Sequence, residues 1–179
     1  NEIIVDSSER FDNLVYEATR NMVSPKVLRN DLDAAITGYH EVLEATNPAL
    51  ARKMKAKLSL NANALFDAYR KKYLTSILAS NGSSNSEGVH VQLNNDVRVF
   101  ENFLENIAVT SNMEEVIMET VNTFNNNYRN QLIASGFKKA GLQNKLKEHL
   151  DALNRAAQSF IVQKVLTKQV GKKSEIATG

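Results

Sequence analysis

Apolar residues recur at helical spacing along most of the chain, and the pattern predicts six helices. A polar segment over residues 6–9 can cap the first helix, which we predict over residues 7–22. Serine or asparagine before Pro25 and Pro48 marks the next two helix starts, because proline is well tolerated in the first helical turn. The third helix is the longest and is predicted to end at Gly82, where glycine can adopt the left-handed conformation that stops a helix.

A segment rich in Ser, Asn and Gly separates the two halves of the chain. We predict a linker over residues 81–95, because its first part has no apolar side chain to anchor it. Val89, Val91 and Leu93 alternate with polar residues, a period that also fits one short extended segment. Helical spacing returns after Asp96 and predicts three more helices.

The two halves resemble each other in helix order and in individual residues. Each has a short, a medium and a long predicted helix, and Phe11 and Tyr39 match Phe100 and Tyr128 at a common offset of 89 residues. Such self-similarity indicates an internal duplication, although shared amphipathic periodicity can also bring two helices into register. We therefore predict an all-α fold, a six-helix bundle built from two tandem three-helix repeats with a pseudo-twofold relation. The predicted domains are a first repeat over residues 1–80, the linker over 81–95, a second repeat over 96–171 and a flexible tail over 172–179.

Composition agrees with a helical globular protein and excludes several kinds of site. Of the 179 residues, 42% are hydrophobic and 23% are charged, and only 2 Pro and 7 Gly occur, which disfavours β-rich or disordered structure. The chain has no Cys, so disulfides, thiolate zinc ligands and a cysteine nucleophile are excluded. No apolar run is long enough to span a bilayer. We expect a soluble protein of the cytosol or of a virion rather than a secreted one.

Charge alternates in blocks along the chain, although the net charge is only +2. Residues 1–47 carry a net charge of −5 and residues 48–85 carry +6, while residues 86–137 carry −5 and residues 138–179 carry +6. Each half therefore contains an acidic helix pair and a basic long helix. Three explanations are open: exposed ion pairs between neighbouring helices, a basic surface for phosphates or an acidic protein, or self-assembly in which the acidic side of one molecule meets the basic side of the next.

The basic residues of the two long helices form the candidate interaction surface. Its predicted members are Arg52, Lys53, Lys57, Arg70, Lys71, Lys72, Lys138, Lys139, Lys145, Lys147, Lys164 and Lys168.

We assign no catalytic residue, metal ligand or cofactor from the sequence. His40, His90 and His149 are far apart and lack the spacing of metal ligands, and no glycine-rich phosphate loop occurs. His149 lies beside an apolar pattern, where a hydrogen-bonded histidine on a helix face explains the residue better than a catalytic base does.

These observations favour a non-enzymatic helical structural or assembly protein. We expect it to act through protein–protein contacts, on itself as a homo-oligomer or on another protein, and association with a virion or phage would suit the Cys-free, Asn-rich composition. The first alternative is a nucleic-acid-binding module that uses the basic faces of the two long helices. The second alternative is a helical ligand-binding domain, which would need a polar pocket.

Overall fold

The computed structural model describes residues 2–81 and 88–166, which form helices joined by short turns. The helices are α1 (Glu2–Asn21), α2 (Pro25–Glu44), α3 (Pro48–Asn81), α4 (Val89–Asn106), α5 (Met113–Ala134) and α6 (Lys139–Phe160), and a π-helical segment (Ile161–Leu166) continues α6. The all-α prediction is confirmed, since the two described ranges contain no strand. Residues 82–87 of the predicted linker and the whole predicted tail lie outside the described residues.

The chain divides into two compact units. The first comprises Asn1–Ser76 with the short segment Asn106–Ala108, and the second comprises Ile77–Glu105 and Val109–Gly179. Helices α1 and α2 and most of α3 therefore belong to the first unit. Helices α5 and α6 and most of α4 belong to the second.

One apolar core joins the three helices of the first unit. Phe11 from α1, Leu28 and Leu32 from α2, and Leu58 and Ala62 from α3 are at most 1% exposed. Four of these residues form pairs spaced four apart, so each pair lies on one side of its helix. Each fully buried leucine contributes about 2 kcal/mol relative to an exposed one.

Helix α1 begins at Glu2, earlier than the predicted start at residue 7. Ser7 does not cap the helix; it lies within the helix, and its buried hydroxyl donates a hydrogen bond to the carbonyl of Ile4 at 2.9 Å. Ile3 and Ile4 pack against a small cluster that includes Leu43 and Met54. This packing accounts for the additional helical turn, which the capping pattern alone did not indicate.

The turn between α1 and α2 is held by a side chain of α3. Met22 has a φ of 51°, and the N–H groups of Met22 and Val23 donate to the carbonyls of Thr19 and Ala18 at 3.3 and 3.2 Å. This pattern is a Schellman motif, a common helix ending. The Tyr69 hydroxyl lies 3.0 Å from the carbonyl oxygen of Ala18 and 2.6 Å from that of Val23. Helix α3 therefore fixes the end of α1 directly.

Helix α4 begins at Val89, so the predicted restart of helix after Asp96 is wrong, as is the extended segment from Val89 to Leu93. Gln92 and Asp96 explain the error, because both are buried although both are polar. A helix whose first buried positions are polar has no apolar pattern there for sequence analysis to detect. Further along α4, Phe100 contacts Phe124 of α5 edge to face, with ring centroids 5.5 Å apart.

Candidate functional site

The basic residues predicted on the third helix fall mostly on the exposed side of α3. Arg52, Lys53 and Lys57 are exposed, and Lys71 and Lys72 are exposed as well. Within the described residues, no carboxylate lies within salt-bridge distance of Arg52, Lys53 or Lys57. The positive charge of this part of α3 is therefore not neutralised by the acidic helices of the same unit.

Arg70 is the exception on α3, because it is only 3% exposed. Phe66, Arg70 and Leu74 are all buried and follow one another at intervals of four residues. Arg70 therefore lies in the buried row of the helix, whereas the next two residues turn outward. Its place in a solvent-facing basic surface is a wrong prediction.

The predicted basic residues of the second half belong to the other unit. Lys138, Lys139 and Lys147 are exposed. Lys145 is half-buried, and its Nζ lies 3.6 Å from Oε2 of Glu148, while Nζ of Lys164 lies 3.6 Å from Oε2 of Glu105. Lys168 lies outside the described residues. The eleven predicted residues that the structure describes thus divide between two units, with Arg70 buried in the first and Lys145 half-buried in the second.

A buried polar cluster in the second unit was not predicted. The Nε2 atom of His149 on α6 lies 2.9 Å from Oδ2 of Asp96 on α4, and its Nδ1 atom lies 3.0 Å from Oδ1 of Asn125 on α5. The side-chain amide of Gln92 donates to Oδ1 of Asp96 at 2.7 Å. The His149 and Asp96 side chains are 0% exposed. One hydrogen-bonded network therefore joins α4, α5 and α6.

Both ring nitrogens of His149 face oxygen atoms. The Asp96 carboxylate only accepts, so Nε2 of His149 donates the hydrogen bond between them, while Nδ1 lies at hydrogen-bond distance from the Asn125 side-chain amide. Such a pair is retained when its remaining lone pairs are also satisfied, and Gln92 supplies that further donor.

Tyr128 covers one face of the His149 ring. The ring centroids are 4.0 Å apart and the planes differ by 11°. Burial raises the pKa of Tyr128 to about 12, and the negative charges of Asp96 and Glu148 add to the effect. The tyrosine therefore stays protonated against the histidine through the whole neutral range.

This cluster is suited to holding helices together rather than to reacting with a substrate. A catalytic base needs a nitrogen within reach of the proton that it removes. Both nitrogens of His149 are already occupied by partners, and its side chain has no exposure to solvent. The interpretation of His149 as a hydrogen-bonded histidine agrees with these contacts, whereas no sequence pattern indicated its partners on α4 and α5.

The first unit exposes one acidic surface and one basic surface, and each includes apolar side chains. The exposed carboxylates of α1 and α2 are Asp6, Glu9, Asp12, Glu17, Asp31, Asp33, Glu41 and Glu44, and their exposed cations are Arg10, Arg20 and Lys26. An open groove of about 540 Å³ runs between α1 and α2, with Leu14, Tyr39 and Val42 among its apolar lining. On α3, Leu60 is 72% exposed. An acidic surface with an apolar groove and a basic helix face with an exposed leucine thus occur in one unit.

Three further findings concern metal ligands, membrane-spanning helices and related proteins. In residues 2–81 and 88–166, no three His, Asp or Glu side chains come together as potential metal ligands. No helix in the part of the chain that the structure describes is long and apolar enough to cross a membrane. Comparison of the chain with protein-family models, curated proteins and solved structures returned no match.

Proposed function

We propose that the chain is a non-enzymatic helical assembly protein that acts through its surfaces, and that its principal partner is a second copy of itself. The acidic surface of α1 and α2 would meet the basic face of α3 from a neighbouring molecule. Because these two surfaces differ, the contact is heterologous, and repeated contacts build rings or open filaments.

The observation that carries the proposal is the lack of neutralising partners for Arg52, Lys53 and Lys57 among the described residues. If the charge blocks served only to pair neighbouring helices, these cations would lie against the carboxylates of α1 and α2. The Arg29–Asp33 and His40–Glu44 pairs instead join residues within α2. Unneutralised charge on an exposed helix is available to steer and hold a partner of opposite charge.

The internal duplication remains part of the proposal. Phe11 and Phe100, at the common offset of 89 residues, are both 0% exposed, and each lies in the core of its own unit. Equivalent burial at equivalent positions supports descent of the two units from one three-helix repeat. The buried histidine cluster then belongs to the second unit alone, since the position equivalent to Asp96 is Ser7 in the first unit.

The test of self-assembly is molar mass by light scattering at low and high salt. We expect a mass above the 20.0 kDa of the single chain at low salt, and a return to 20.0 kDa at high salt because exposed charges are screened. A mass of 20.0 kDa at low salt over the whole accessible concentration range would refute the proposal.

Nucleic acid is the second candidate partner. Lys53, Lys57 and Lys71 lie on one face of α3, and the first and last are 18 positions apart, a distance of about 27 Å along the helix. A row of lysines of this length can contact several phosphates. Adding a short mixed-sequence DNA to the light-scattering samples separates the two candidates. A monomer that gains mass only with DNA, and loses it at high salt, would favour the nucleic-acid interface.

A further inference from the structure

The groove between α1 and α2 has an open floor formed by small residues. Ala34 and Gly38 of α2 contribute to its lining, and a Cβ atom built on Gly38 would meet no atom within 4 Å. Glycine is less favourable than alanine within a helix. Nothing inside the unit therefore requires glycine at this position, whereas close approach of another molecule would.

Helix α3 of the same unit carries an exposed apolar side chain. Leu60 does not belong to the core that joins α1, α2 and α3, and it is 72% exposed. Lys53, Lys57 and Ala64 follow the same face of α3 at intervals of three or four residues. Leu60 is thus an apolar projection flanked by basic side chains.

The charges around the groove are of the opposite sign to those around Leu60. Asp31 and Arg10 line the groove, and helical spacing puts exposed Asp6, Glu17 and Glu41 on the same sides of α1 and α2. The groove surface therefore carries a net charge of −3.

On α3, the face that presents Leu60 carries Lys53, Lys57 and Lys71 with Asp67 as its acidic residue, a net charge of +2. The two surfaces are opposite in charge, and each presents apolar side chains, Leu60 on α3 and the lining of the groove.

We propose that α3 of one copy docks on the first unit of a second copy, with Leu60 seated in the α1–α2 groove over Gly38. The proposal rests on self-assembly and names the surfaces that carry it. Because the groove is formed by α1 and α2 while Leu60 projects from α3, one molecule can use both surfaces at once. The contact therefore propagates from copy to copy instead of closing a twofold dimer.

Gly38→Gln tests the groove without removing anything from the unit. A Cβ atom has room at this position in the free chain, and the exposed glutamine would extend over the floor on which Leu60 would sit. Gly141→Gln is the matched control, since Gly141 is also an exposed helical glycine, lies on α6 and has only the Phe137 side chain near its Cβ position. We expect at least tenfold weaker self-association for Gly38→Gln at low salt and an unchanged dissociation constant for Gly141→Gln, both measured by sedimentation velocity with helical content verified by circular dichroism.

Leu60→Gln tests the projecting side chain independently. Met118→Gln is its control, because Met118 is 67% exposed on α5 in the other unit. We expect at least tenfold weaker self-association for Leu60→Gln. The control should associate as strongly as the wild type. If the wild-type chain associates at low salt but both Gly38→Gln and Leu60→Gln associate equally well, the docking surfaces are wrong while self-assembly stands. If the wild-type chain is monomeric throughout, self-assembly itself fails, and the docking proposal fails with it.

Discussion

The imidazole of His149 and the carboxylate of Asp96 are hydrogen-bonded at 2.9 Å, from helices that are far apart in sequence, and neither side chain is exposed. A buried polar pair is costly to break, because the remaining partner keeps its desolvation penalty and loses its compensation. The pair therefore favours a single register of α4 against α6 in the second unit.

Removing one partner of this pair should destabilise the protein strongly. We expect Asp96→Ala or His149→Ala to lower the free energy of unfolding by about 3 kcal/mol each, and the double variant to lose less than the sum. Urea denaturation of the two single variants and the double variant gives the coupling energy. The control cycle uses His40 and Glu44, whose 3.1 Å pair includes a glutamate that is 59% exposed; its coupling should stay below about 1 kcal/mol. Equal coupling in both cycles would contradict the assigned role of the buried pair.

Stability should fall at alkaline pH through Tyr128. Its pKa is about 12 in the folded protein against an ordinary value of 10.0, so the unfolded chain loses the proton first. The contribution is fully present below pH 10 and is lost as the pH rises through 12, by up to about 3 kcal/mol.

The variant Tyr128→Phe isolates this loss. Urea denaturation between pH 9 and pH 12 should show a smaller decline for Tyr128→Phe than for the wild type. Some decline remains, because burial and the neighbouring Tyr73 also raise the pKa of Tyr69. Tyr16→Phe is the control, since Tyr16 is 65% exposed. A decline in Tyr128→Phe as steep as that of the wild type would show that Tyr128 does not set the alkaline limit.

Two helix ends offer a matched pair of backbone substitutions. Met22 and Gly136 both occupy the left-handed position of a Schellman motif, with φ of 51° and 94°. Non-glycine residues pay roughly 1 kcal/mol for this conformation. We expect Met22→Gly to raise the free energy of unfolding by about 0.5 kcal/mol, because the half-exposed methionine gives up little burial, and Gly136→Ala to lower it by about 1 kcal/mol. Thermal denaturation of both variants measures the two effects, and shifts of the same sign would contradict this assignment of backbone strain.

The helices could be predicted where the spacing of apolar residues and a proline indicate the same helix start. Helices α2 and α3 begin at Pro25 and Pro48, as the sequence indicated, and α3 reaches Asn81 beside the expected glycine. The start of α4 could not be predicted in the same way, since its buried face opens with Gln92 and Asp96. Hydrophobic periodicity carries no information where the core is polar.

The candidate sites also differ in how far the sequence could predict them. The exposure of Lys53 and Lys57 follows from helical spacing against a buried apolar row, and the burial of Arg70 follows from that same spacing once the row through Phe66 is known. The cluster of Asp96, Asn125 and His149 requires three helices to meet, and the residues are 24 and 53 positions apart in sequence. No local sequence pattern indicates which side chains of three helices come together, so this cluster could be identified only from the structure.

Mixing two surface variants tests whether the acidic and basic surfaces of the first unit bind each other. One variant carries Lys53→Glu and Lys57→Glu, which removes the basic face of α3; the other carries Asp31→Asn and Glu41→Gln, which weakens the acidic surface. Each keeps one intact surface, so each alone should remain at 20.0 kDa at low salt, where the wild-type chain assembles further.

An equimolar mixture should form a capped complex of two copies, twice the 20.0 kDa of one chain, when its molar mass is measured by light scattering at low salt. A mixture in which both variants stay monomeric, or single variants that assemble as the wild type does, would contradict association between the acidic and basic surfaces of the first unit.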